Sequence, residues 1–151
     1  MADKVNGLNK GEKTRILLLN TAERLFGQNG VTATSLREVM KVADVNMAMV
    51  HYYFKNKDGL LEAILERRLV PINQARLNLL GQYALEAGGQ PLGMDDIIKA
   101  YVEPFIRLRD NADEGGADFL KLFAWLRMEP NFAYHQLMKK HLGDSLTAFQ
   151  K

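Results

Sequence analysis

Three short runs of apolar residues, each with helical spacing and only a few residues apart, occupy positions 12–57. In the first, Leu18, Ala22, Leu25 and Phe26 fall on one stripe of a helix predicted over 12–29, and Asn29-Gly30 supplies its terminator. Thr34-Ser35-Leu36-Arg37-Glu38 then carries the Ser-x-x-Glu of a capping box. It opens a second helix whose inward residues are Leu36, Val39, Met40 and Ala43. Asp44-Val45 reads as a tight turn, and Asn46 as the N-cap of a third helix running to about Phe54. Three short helices with so brief a turn between the second and third make a helix-turn-helix pattern. Lys55-Asn56-Lys57 breaks the third helix, and Asp58 starts a fourth with Leu60, Leu61, Ile64 and Leu65 on its apolar side.

Beyond this point the periodicity stays helical. Pro71 is expected to end or kink the fourth helix, with a new one from Ile72 to about Ala87. A loop at 88–93 precedes a helix over about 94–110, which tolerates Pro104. A second loop covers 111–116, a helix of about 117–129 stops at Pro130, and a last helix runs over about 131–150. No stretch alternates with strand period, so the fold class is all-α: a three-helix head and a helical body. The division expected is a flexible basic arm at 1–11, a helix-turn-helix domain at 12–57, and a helical domain at 58–151.

Composition narrows the function classes. The chain has no cysteine, which removes disulfide scaffolds, thiolate metal sites and cysteine nucleophiles. His135 and His141 are six apart, off the spacing that puts two imidazoles on one helix face, so no metal site is expected. Phosphate-binding, dinucleotide, nucleophile-elbow and zinc-protease motifs are missing, so neither a cofactor nor catalysis is expected. No apolar run is long enough to span a bilayer and no signal sequence opens the chain, which makes the cytoplasm the expected address. Charge is uneven. Residues 1–57 hold nine Lys and Arg against five Asp and Glu, whereas residues 58–151 hold eleven against thirteen. A basic front suits a polyanionic partner.

On a wheel, Val50, Tyr53 and Phe54 of the third helix fall inward with Val45, while Met47, Ala48, His51, Tyr52 and Lys55 fall outward. Aromatics and an imidazole on the outward face are unusual for a merely solvated helix, but suit one that meets phosphates and base edges. At this point a family becomes visible. The run VNMAMVHYYFKNKDGLLEAIL resembles the signature of TetR-type regulators, and LLNTAERLFGQNGVTATSLREVM resembles their first two helices, so that about 13–68 is matched.

The resemblance implies a DNA-binding transcriptional regulator, most often a repressor, that sets two recognition helices of a homodimer on a palindromic operator. By the same resemblance Arg37, Met47, Ala48, Met49, His51, Tyr52, Tyr53 and Lys57 stand at DNA-contact positions, joined at the start of the third helix by the capping Asn46. This chain departs from the family pattern at Asp44, where the turn usually has Gly, and at His51, where a Tyr is usual. Neither Met47 nor Ala48 can hydrogen-bond a base edge, so reading there is expected to rest on apolar contact with thymine methyls.

For the body the resemblance implies a pocket for a small effector. Tyr101, Phe105, Phe119, Phe123, Met128 and His135 are the candidate lining, which implies an apolar or aromatic effector oriented by Arg107 or His135. Members of the family usually continue for two more helices that build the dimer interface. The body is therefore expected either to be incomplete at its C-terminus or to dimerise through other surfaces such as the Trp125–Met138 region. The competing reading is a helical ligand-binding or interaction module without DNA affinity.

Overall fold

A computed structural model of the chain describes residues 7–110, 115–131, 133–137 and 139–140. Its helices are α1 (Lys10–Asn29), α2 (Leu36–Ala43), α3 (Met47–Phe54), α4 (Lys57–Glu86), α5 (Met94–Asp110) and α6 (Gly116–Met128). The described residues from 133 onward are helical as well, and no strand occurs among the described residues. The all-α expectation is met.

Each short helix begins where a side chain can satisfy its open amides. Asn9 accepts from the Glu12 N–H (2.9 Å), and the Glu12 carboxylate accepts from the Asn9 N–H (2.8 Å), a complete capping box. That places Lys10 and Gly11 in α1, although the sequence reading assigns them to a flexible arm. The signal was present as Asn-x-x-Glu. Residues 1–6 of that arm lie outside the described residues. Ser35 caps α2 by accepting from the Glu38 N–H (3.1 Å), and Asn46 caps α3 by accepting from the Met49 N–H (3.1 Å). Asn56 does the same for α4 through the Gly59 N–H (2.8 Å).

Two turns use left-handed backbone. Asp44 closes α2 at φ 52° and ψ 48°, a region that Asp tolerates better than most residues, so the turn forms without glycine. Lys55 closes α3 at φ 67°.

Pro71 does not end α4. The helix runs unbroken for 30 residues, and the expected new helix at Ile72 is its continuation. Leu65, Leu69, Ile72 and Arg76 recur at helical spacing on both sides of the proline and all are buried. Each fully buried aliphatic side chain is worth roughly 1.5–3 kcal/mol, enough together to offset the hydrogen bond that a proline nitrogen cannot make.

The chain forms two compact units, one of residues up to Ile64 with Asp118–Glu129, the other of Leu65–Ala117 with the residues from Pro130 on. In the first unit Leu18, Leu19, Ala22, Phe26, Val39, Val50, Leu60, Leu61 and Ile64 are buried together with Phe119, Leu122 and Leu126. The three-helix head is thus completed by a fourth element drawn from almost a hundred residues downstream. Where α1 meets it, a Cβ on Gly27 would lie 2.5 Å from the Asp118 carbonyl oxygen, so only glycine allows that approach. The Trp125 indole N–H donates to the Gly27 carbonyl (3.1 Å) and fastens the same crossing.

In the second unit Arg76 is 1% exposed. Its Nε donates to the Tyr101 carbonyl (3.0 Å) and its Nη1 to Asn73 Oδ1 (3.1 Å). The guanidinium lies 3.9 Å from the centre of the Tyr101 ring and 5.0 Å from that of Phe105. Burial pushes its pKa below the ordinary arginine value, while Tyr101 pulls it back. Two planar donors and two stacked rings suit arginine alone.

Candidate nucleic-acid interface

The helix-turn-helix presents one face of α3. Val50 and Phe54 are buried and Val45 is half-buried, while Met47, Ala48, His51, Tyr52 and Lys55 are all exposed, as their spacing predicts. Tyr52 is the extreme case, with 79% of its surface open. An exposed tyrosine on a helix whose first turn has no acidic residue is out of place on an ordinary solvated surface. Met49 is half-buried and Arg37 is exposed on α2.

Tyr53 is positioned from three sides. Its ring packs edge-on against Tyr52 (centroids 4.9 Å, 81°) and at a tilt against Phe54 (6.1 Å). Its hydroxyl lies at the start of α1, where a Cβ on Gly11 would come within 2.8 Å of it. Glycine at position 11 therefore leaves room for that hydroxyl beside the N-terminal amides of a capped helix. Apolar spacing gives Gly11 no role. Its one signal is the capping box around it.

The cations differ in their freedom. Arg15 lies 5.5 Å from the centre of the Phe54 ring, and so braces the end of α3 from behind. Lys57, the first residue of α4, is half-buried with its ammonium 5.9 Å from the Phe26 ring centre. Burial pushes its pKa below the ordinary lysine value, against the opposing charges of Glu129 and Asp58. Asn46 spends its side-chain oxygen on the α3 cap, which leaves its amide nitrogen as the donor for a partner.

The candidate effector residues fall in two units. Phe119, Phe123 and Met128 belong to the first, with Phe119 buried, Phe123 half-buried (ring centroids 6.1 Å apart) and Met128 exposed. Tyr101, Phe105 and His135 belong to the second. There Tyr101 and Phe105 flank Arg76, and His135 is exposed. A groove of about 220 Å³ in the second unit is lined by Ala75, Asn78, Leu79, Gln82, Pro104 and Arg107, and by none of those six. Met138, which bounds the expected alternative dimer surface, and His141 lie outside the described residues. No cluster of metal-ligating side chains occurs among the described residues. No helix among them is long and apolar enough to cross a membrane.

Known proteins place this geometry. Residues 18–64 match the family model for bacterial regulatory proteins of the tetR family, and residues 99–151 match that for a tetracyclin repressor-like C-terminal domain. The probable HTH-type transcriptional regulator YttP of Bacillus subtilis strain 168 is 49% identical over 49 residues, covering 32% of this chain and 24% of the relative. The HTH-type transcriptional regulator AcrR of Shigella flexneri is 36% identical over 85 residues, covering 56% and 38%. The HTH-type transcriptional repressor NemR of Escherichia coli K12 is 37% identical over 67 residues, covering 44% and 34%. The aligned stretches thus span between about a quarter and two-fifths of these relatives' length. A solved structure, that of a SmeT–triclosan complex, shares the fold with a TM-score of 0.62 at 21% identity, covering 87% of this chain and 60% of that one. With its capped α3, its left-handed Asp44 turn and both halves matched, the chain belongs to the TetR family of bacterial regulatory proteins.

Proposed function

We propose that the chain is a sequence-specific DNA-binding transcriptional regulator, a repressor that leaves its operator when a small apolar or aromatic molecule binds. The observation that carries this reading is the exposed face of α3, where Met47, Ala48, His51, Tyr52 and Lys55 stand outward with no carboxylate among them. A helix of this width enters a major groove, and its phenol, imidazole and ammonium groups suit phosphate oxygens. The relatives named above are transcriptional regulators, which disfavours a module without DNA affinity. The structural neighbour was solved with triclosan, which supports a small-molecule effector here.

Two copies on a palindrome would set their α3 helices in successive major grooves. Helix α4 belongs in part to each unit, since Lys57–Ile64 lie in the first and Leu65–Glu86 in the second. An effector that prefers one setting of this helix would change the spacing of the heads, by no more than its differential affinity for the two states. Tyr101, Phe105 and His135 remain proposed effector residues of the second unit, Phe119, Phe123 and Met128 those of the first, and the cytoplasm the proposed compartment.

Operator selection from a random duplex pool, followed by binding at two salt concentrations, tests the reading. A DNA regulator loses affinity steeply as salt rises. Arg37→Ala is expected to relax sequence preference, while Lys57→Ala weakens all sequences alike. No enrichment of any sequence, with no binding in dilute buffer, would sink it.

A further inference from the structure

Two polar groups meet beside the last turn of α3 with their donors unspent. The Arg15 guanidinium is exposed on α1, lies 5.5 Å from the Phe54 ring centre, and joins no ion pair among the described residues. The Tyr53 hydroxyl makes no hydrogen bond among the described residues. One face of α1 brings them together. Gly11 and Arg15 are four residues apart and share that face. Gly11 meets the Tyr53 hydroxyl, to which a Cβ would come within 2.8 Å, and Arg15 meets Phe54, the next residue of α3. The opening turns of α1 therefore run beside the end of α3 and set a guanidinium and a phenol at one edge. The α1 amides are not the donors there, because those of Glu12 and Lys13 are taken by Asn9.

We propose that Arg15 and the Tyr53 hydroxyl hold one phosphate of the DNA backbone between them, at the border of the groove that α3 enters. Phosphates lining a major groove stand beside an inserted helix rather than under its open face, so the groups that reach them sit at its edge. Tyr53 is half-buried at that edge, its ring packed against Tyr52 of the open face. The guanidinium supplies charge and a fork of N–H donors, the phenol one O–H donor, and the phosphate oxygens accept. The Phe54 ring holds the guanidinium by cation–π attraction and uses none of its N–H groups. The site lies ahead of residues 18–64, which match the family model, and adds a contact from α1 to those of α2, α3 and Lys57. It rests on the DNA-binding reading proposed above and extends its footprint.

Binding of the whole chain to a random-sequence duplex, between about 50 and about 200 millimolar salt, tests the contact. Arg15→Met keeps an apolar stem over Phe54 and removes the charge. It is expected to bind about tenfold more weakly at the lower salt, with an unchanged melting temperature. Its log–log salt slope should flatten by about 0.9 for each head bound. Arg15→Lys should keep the slope and lose only part of the affinity, because an ammonium carries the charge without the fork. Gly11→Ala puts a methyl where the hydroxyl lies and should weaken binding as Tyr53→Phe does, although alanine is the better helix former. Wild-type affinity and slope in Arg15→Met would overturn the proposal and leave Arg15 as a brace for α3. So would additive losses in Arg15→Met and Tyr53→Phe, which would mean two separate contacts. Equal flattening by Lys13→Ala, whose side chain leaves α1 about 200° away, would do the same, since it points to a diffuse field. The two readings fail separately: a wild type that bound no duplex in dilute buffer would remove both, whereas normal wild-type binding with an unaltered slope in Arg15→Met removes this contact alone.

Discussion

Glu129 accepts two hydrogen bonds from Thr32, one from its backbone N–H (3.3 Å) and one from its hydroxyl (2.8 Å), across 97 residues of chain. With the Trp125–Gly27 bond, this fastens the end of α6 to the loop after α1. A side chain on Gly30 would meet the same carboxylate at 2.9 Å, and Gly30 itself sits at φ 85°. Glu129→Ala is expected to destabilise the first unit by about 1.5 kcal/mol, the lower end for a bond to a charged group because this one is solvated. Thr32→Val should cost about the same, and the two together little more than either, since they break one interaction. Urea titration of the four proteins measures it. Additive losses would mean that the bond is not formed in solution.

Gly59 inverts an ordinary preference. Alanine is usually better than glycine in a helix by up to about 1 kcal/mol. Here a Cβ would fall on the Phe54 carbonyl oxygen, inside van der Waals contact, because the chain folds back tightly between α3 and α4. Gly59→Ala should therefore lose about 2 kcal/mol, as for other forced clashes in packed sites. Thermal melting reads the loss, and an unchanged melting temperature would mean that the turn relaxes freely.

The head was legible because its signals are local. Apolar spacing placed α1 to α3, and Ser35, Asn46 and Asp44 each satisfy backbone groups within a few positions of themselves. The exposure of Met47, Ala48, His51, Tyr52 and Lys55 follows from the same periodicity. What stayed hidden depends on distant partners. Nothing near Pro71 shows that Leu69, Ile72 and Arg76 will be buried on both sides of it, so the proline looked like a stop. Likewise Phe119, Leu122 and Leu126 have helical spacing, but their place in the core of the first unit is decided by Gly27, Thr32 and Gly30. The Asn9–Glu12 box is a local signal too, but it lies in a stretch without apolar periodicity, the property by which the helices are read.

Lys57 predicts a pH dependence of definite sign. Its pKa is lowered in the folded head relative to the unfolded chain, chiefly by burial. The unfolded state therefore holds the proton more tightly, and stability rises with pH between the folded and unfolded values. Below the folded value the opposing effect of the buried charge is fully present. Above the ordinary lysine value it is gone. Lys57→Met should thus be more stable than wild type near neutrality, and the difference should shrink as pH approaches the model lysine value of 10.5. Chemical denaturation of both proteins across that interval measures it, and a difference that widened with pH would reverse the sign.

The most specific expectation concerns how α3 would read DNA. Met47 is 37% exposed and Ala48 lies next to it on the open face, so the two side chains nearest the α3 N-terminus on that face are apolar. Apolar groups cannot distinguish bases by hydrogen bonding, but the C5-methyl of thymine offers them a partner in the major groove. Replacing operator thymines with uracil removes that methyl and leaves every hydrogen-bonding group in place. Each methyl in contact should then be worth up to about 0.8 kcal/mol, the value of one buried methylene, or roughly fourfold in affinity. Met47→Ala should remove part of the sensitivity to uracil, whereas Tyr52→Phe, which loses only a phosphate-directed hydroxyl, should weaken thymine and uracil operators by the same factor. Equal affinity for the two operators in the wild-type protein would rule out methyl reading and leave His51, Arg37 and the amide of Asn46 as the groups able to choose among bases.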